Sequence, residues 1–117
     1  YHLRHSSNWL IRLGDGTGES NTKVQDALEE LWMYTGELFE MDNLDTELLN
    51  NGIAVDNSAL KLEWDIMVNK TLVKAKLTRP EDAYMATGGK KGLHTEYLGF
   101  ILSEMQFLQR AYPDAKW

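Results

Sequence analysis

Two lysines set among glycines offer the first chemistry in this chain. In the run GGKKG, Gly88, Gly89 and Gly92 surround Lys90 and Lys91. Glycine adopts backbone angles that other residues resist, so such a loop can turn its N–H groups toward one point. An apolar helix is expected to follow from Leu93, and the start of a helix gathers partial positive charge. With the two ammonium groups, that combination suits a phosphate or another small anion. The loop lacks the GxxxxGK[ST] pattern of a nucleotide-binding loop, and no strand-like stretch precedes it. Histidine offers a second chemistry. His2 and His5 lie three apart and share a helix face, which is compatible with a metal if carboxylates approach from elsewhere but fits a polar pair hydrogen-bonding inside a contact between subunits better. His94 falls in register with the apolar stripe of the last helix, which fits a core histidine bonded to a backbone carbonyl better than a catalytic base. The 117 residues hold no cysteine, so disulfides, cysteine-ligated zinc, iron–sulfur ligation and a cysteine nucleophile are excluded within them. No Ser-His-Asp order or dinucleotide fingerprint is present.

The elements that must position these residues read as helices. With 43% apolar residues the chain has the size and composition of one domain with a core. Two prolines and few β-branched runs favour helix over strand. A first helix carries Leu3, Leu10 and Leu13 on one face with His2, His5 and Trp9 beside them, and the glycines of 14–18 end it. A long helix from Glu19 or Ser20 repeats Val24, Leu28, Leu31, Thr35 and Leu38 at bundle spacing, widened by Trp32 and Phe39. Asp26, Glu29, Glu30 and Glu37 form its solvated face. A short helical piece fits 41–51, ended by Asn51-Gly52 as a left-handed cap. Asp56 is the N-cap of a further helix through Leu60, Trp64, Met67, Thr71 and Ala75, running to about Leu77. Thr78, Arg79, Pro80 and Glu81 have the form of a capping box for a single turn. The last helix, from Leu93 onward, shows two adjoining apolar faces, one with His94, Leu98, Ile101, Met105, Leu108 and Tyr112, the other with Leu93, Tyr97, Phe100, Phe107 and Ala111. Glu104, in the middle of the second face, needs a partner there. Two such faces imply burial in the chain's own core and against something else.

The expected architecture is therefore an all-α bundle, with Leu28, Leu31, Trp32, Leu38, Trp64, Met67, Leu98, Ile101 and Met105 mostly buried. A net charge of −6 argues against nucleic acid as the main partner, because phosphate backbones need a basic surface. No run approaches the roughly 20 apolar residues of a membrane span, and no signal pattern opens the chain. A cytoplasmic protein is the simple expectation.

The run GGKKGLHTEYLG, followed by EMQFLQR, a proline and a terminal tryptophan, resembles the C-terminal end of the PaaC-type phenylacetate-degradation proteins of bacteria. The opening YHLRHSSNWLIRLGDGT, then ALEELWMYTGELF and GIAVD, is similar to the same family in matching order and spacing. The family's chains are about twice as long, so 1–117 corresponds either to a single all-helical domain or to the C-terminal half of a ferritin-like domain. The resemblance implies a ferritin-like helical bundle. It also implies a structural, non-catalytic subunit of the multicomponent phenylacetyl-CoA epoxidase, paired with a related catalytic ferritin-like subunit. In that system di-iron, FAD and iron–sulfur cofactors belong to partner subunits, and none to this chain. A di-iron site of this fold takes Glu-x-x-His pairs, and none occurs in these residues. A CoA thioester near the boundary between subunits would give Lys90 and Lys91 a phosphate to hold. Two other readings stand beside this one: a catalytic di-iron-type oxygenase subunit with an atypical site around His2 and His5, and a free-standing helical adaptor.

Overall fold

The computed structural model describes residues 1–116. Among them every regular element is helical and no strand occurs. Helix α1 is His2–Gly14, α2 is Gly18–Trp32, α3 is Asn43–Asn50, α4 is Asn57–Lys74, α5 is Tyr97–Met105 and α6 is Phe107–Ala111, with 3-10 turns at Thr35–Phe39 and Gly89–Lys91. The chain divides into two compact units, Tyr1–Thr87 and a second from Gly88 onward.

Local chemistry sets the starts of α2, α3 and α4. Thr17 caps α2, its hydroxyl oxygen accepting from the Ser20 N–H at 3.3 Å. Asp42 and Asp45 form a reciprocal capping box at the start of α3, each carboxylate accepting the other residue's N–H at 2.9 Å. Asp56 caps α4 as expected, accepting from the Ser58 N–H at 2.9 Å and from its hydroxyl at 2.6 Å. Gly52, with φ of 68°, supplies the left-handed turn after α3.

In the first unit the C-terminal ends of α1 and α4 meet at a single point. Gly14 is buried there, and a β-carbon on it would collide with the carbonyl oxygen and the β-carbon of Ala75, the latter at 2.9 Å. Leu72, Ala75 and Leu77 form the buried cluster, with Leu10, Ile11, Val24, Leu28 and Val68 packed against it. Helix α4 stops at Lys74 rather than Leu77. Lys76 turns left-handed, with φ of 55°, while the Lys76 N–H donates to the Val73 carbonyl and the Leu77 N–H to the Leu72 carbonyl. That is the double hydrogen bond of a Schellman cap, closed by apolar contact between its third-last residue, Leu72, and Leu77 beyond it. Glycine is usual at the left-handed position. Here Lys76 occupies it, and its ammonium pairs with Asp15 at 2.5 Å.

Helix α2 then holds the segment after the cap through a polar stripe. The Asn21 amide donates to the Gly14 carbonyl at 2.7 Å and the Lys76 carbonyl at 3.2 Å. One turn on, Gln25 pairs with both backbone groups of Thr78, accepting its N–H at 2.9 Å and donating to its carbonyl at 3.0 Å. Farther along, the Trp32 indole N–H donates to Asp82 at 2.8 Å. The expected single turn at Thr78, Arg79, Pro80 and Glu81 does not form, because Gln25 takes the backbone groups that a capping box would use. Arg79 stacks over the Trp32 ring, 4.9 Å from its centroid, and reaches Asp65 at 2.8 Å, Asp82 at 3.7 Å and the Asn69 amide oxygen at 3.1 Å. Lys61 bonds Asp65 at 2.9 Å. Beneath this cluster Trp64 packs against Trp32 and Phe39, with ring centroids 5.7 and 5.3 Å apart.

Three expectations about length and burial need correction. Helix α2 ends at Trp32 instead of continuing to Leu38, since the Trp32 carbonyl accepts from the Thr35 hydroxyl and the Met33 carbonyl from the Ala86 N–H. The long last helix is two pieces, α5 and α6, meeting at Gln106. Trp32 is buried and Leu28, Trp64 and Leu98 are half-buried, but Leu31 and Ile101 are 58% and 54% exposed, and Leu38, Met67 and Met105 are exposed as well.

Two outcomes follow from the packing. Gly14→Ala, a change that ordinarily favours a helix, should lower stability by about 1 to 3 kcal/mol through overpacking against Ala75. Gly18→Ala, whose β-carbon meets nothing within 4 Å, should be neutral or slightly stabilising; thermal melts of the two variants compare them, and equal effects would contradict the close contact. The Asp65 carboxyl is held below the ordinary carboxylate value first by the hydrogen bond from Lys61 and then by Arg79. Its stabilising contribution is therefore complete above about pH 4 and is lost as pH falls through the lowered value. The melting difference between the parent and Asp65→Asn should be widest at neutral pH and close in more acidic buffer; a gap that stays constant down to pH of about 3 would remove the ion pairs from the account.

Candidate functional site

The glycines around Lys90 and Lys91 serve the turn itself. Gly88 and Gly92 are both left-handed, with φ of 93° and 84°, and a β-carbon on Gly88 would lie 2.7 Å from the Leu93 side chain. The Gly88 carbonyl accepts from the Lys91 N–H at 2.9 Å and from the Leu93 N–H at 3.1 Å, while the Gly92 N–H donates to the Gly89 carbonyl at 3.2 Å. Those three N–H groups are therefore used inside the turn and do not converge on an anion. The expected helix start at Leu93 is corrected too: α5 begins at Tyr97, and 93–95 are not helical. What remains for anion binding is a tight turn presenting the exposed side chains of Lys90 and Lys91.

The histidines do not gather into one site. His5 stacks on Tyr1 with centroids 5.8 Å apart and meets Trp9 edge-on at 6.3 Å, and His2 meets Tyr1 edge-on at 5.7 Å. Both are exposed on α1. His94 is exposed ahead of α5, not in a core stripe, because the helix that would have carried it starts later. Glu104 lies exposed on α5 and needs no buried partner.

The carboxylates around Arg79 are already engaged. Asp65 and Asp82 are held by Arg79, Lys61 and the Trp32 indole, so cations stand beside them where a metal would need open oxygen ligands. Among the described residues no three His, Asp or Glu side chains converge as a metal group. The donor set does not fit the two irons of a carboxylate-bridged centre, which also requires Glu-x-x-His pairs that the sequence lacks. Reading the sequence by motif misses this cluster of Arg79, Asp65 and Asp82. The polar pair Asn21 and Gln25, on the same face of α2 as Val24, Leu28 and Trp32, does signal the neighbouring backbone clamp, since polar groups on an inward face need partners.

A further feature is an open apolar groove between α1 and α4, lined by Leu3, Ser6, Ser7 and Leu10 on one side and Met67, Val68 and Thr71 on the other. Its walls combine leucine and methionine with small hydroxyl side chains, a composition that admits a helix at close approach. Among the described residues no helix is long and apolar enough to cross a membrane.

The sequence pattern of the family described as phenylacetic acid catabolic protein matches residues 1–117. The chain is 49% identical over 117 residues to a subunit of the 1,2-phenylacetyl-CoA epoxidase of Escherichia coli (strain K12). The match covers 100% of this chain and 47% of that protein, so the chain spans about half the length of the curated relative. An all-helical structure and a match from first residue to last agree on one conclusion: the chain belongs to the phenylacetic acid catabolic protein family.

Proposed function

We propose that this chain is the C-terminal half of a ferritin-like domain that serves as a structural, non-catalytic subunit of a phenylacetyl-CoA epoxidase, acting in the cytoplasm during aerobic phenylacetate breakdown. The observation that carries the reading is 49% identity along the whole chain to a subunit of that enzyme. The engagement of Asp65 and Asp82 by Arg79 and Lys61 supports a scaffolding role, because these carboxylates are committed to holding the segment after α4. On this reading the ring epoxidation takes place in a related catalytic ferritin-like subunit. That partner holds the di-iron centre, and a reductase with FAD and iron–sulfur groups supplies electrons. This chain contributes packing and, through Lys90 and Lys91, charge.

The exposed apolar edges support the half-domain part of the proposal. The groove of Leu3, Leu10, Met67 and Val68 has the lining to take a helix from the remainder of the polypeptide. Met67→Ala in the natural full-length polypeptide should then cost about 2 to 5 kcal/mol, as for a fully buried methionine. A denaturation midpoint within error of the parent would leave the groove facing solvent.

Lys90 and Lys91 are proposed to hold the phosphate-bearing end of the CoA thioester where this subunit meets its catalytic partner. Both side chains are exposed on a turn whose backbone is fixed by its own hydrogen bonds, in a chain of net charge −6. Contacts of this kind contribute roughly 1.5 to 3 kcal/mol each. Replacing both lysines with alanine should therefore raise the KM for phenylacetyl-CoA of the reconstituted complex by at least about tenfold, leave assembly intact and remove most of the salt dependence of binding. An unchanged KM in a normally assembled complex would reduce GGKKG to a turn.

A further inference from the structure

We draw no further inference here: the strongest candidate, the aromatic and basic ladder of Tyr1, His5, Trp9 and Arg12 on the outward face of α1, carries nothing because nothing in the structure shows what covers it.

Discussion

The contact of Gly14 with Ala75 is the constraint on which the first unit depends. Two helices end at that point, and each end leaves carbonyls without helical partners. Bringing them together removes water that would otherwise satisfy those groups, so the fold must supply donors of its own. Beyond the N–H groups of the turns that end the two helices, it does so from α2. Ser20 donates to the Leu13 carbonyl at 2.7 Å, and Asn21 spans the Gly14 and Lys76 carbonyls. Any side chain larger than hydrogen at position 14 would push the two ends apart and break that shared set of donors and acceptors. The left-handed Lys76 follows from the same geometry, since the Schellman cap returns Leu77 to the buried cluster beside Leu72.

Polar clamps then add to the small apolar cluster of Leu72, Ala75 and Leu77. Asn21, Gln25 and Trp32 lie along one face of α2 and fix the segment from Lys76 to Asp82 at three points. Arg79 closes the row, with its guanidinium over the Trp32 ring and its nitrogens on Asp65 and Asn69. These bonds are directional, so they specify where the segment lies. They are also partly exposed, so each contributes modestly to stability. Side chains such as Leu31, Leu38 and Met67 meanwhile remain exposed. The chain spans 47% of the length of its relative, and its first unit combines these polar clamps with exposed apolar side chains.

The glycines of the glycine-rich loop serve its turn. Glycines that could free N–H groups for a ligand instead permit left-handed corners at both Gly88 and Gly92. The lysines are unaffected by that correction, because their charge does not depend on the backbone donors. Any anion held here is therefore held by side-chain charge, with the backbone contributing rigidity.

Much of the fold was legible in the sequence. The helical class, the Asp56 cap, the left-handed Gly52 and the inward placement of Trp32, Leu28 and Trp64 all follow from periodicity and local capping chemistry, which act over a few residues and leave their mark in residue type. The family, too, was carried by short runs of residues. Tertiary structure alone decided the ends that residue type does not mark. The α2 helix ends at Trp32 because Ala86, far along the chain, takes the Met33 carbonyl, and the turn at Thr78 fails because Gln25 claims its backbone. The pairing of Arg79 with Asp65 and the contact of Gly14 with Ala75 likewise depend on how the chain folds back on itself. Hydrogen-bonding partners and close approaches of this kind are set by which segments meet in space, and residue spacing along the chain does not encode that.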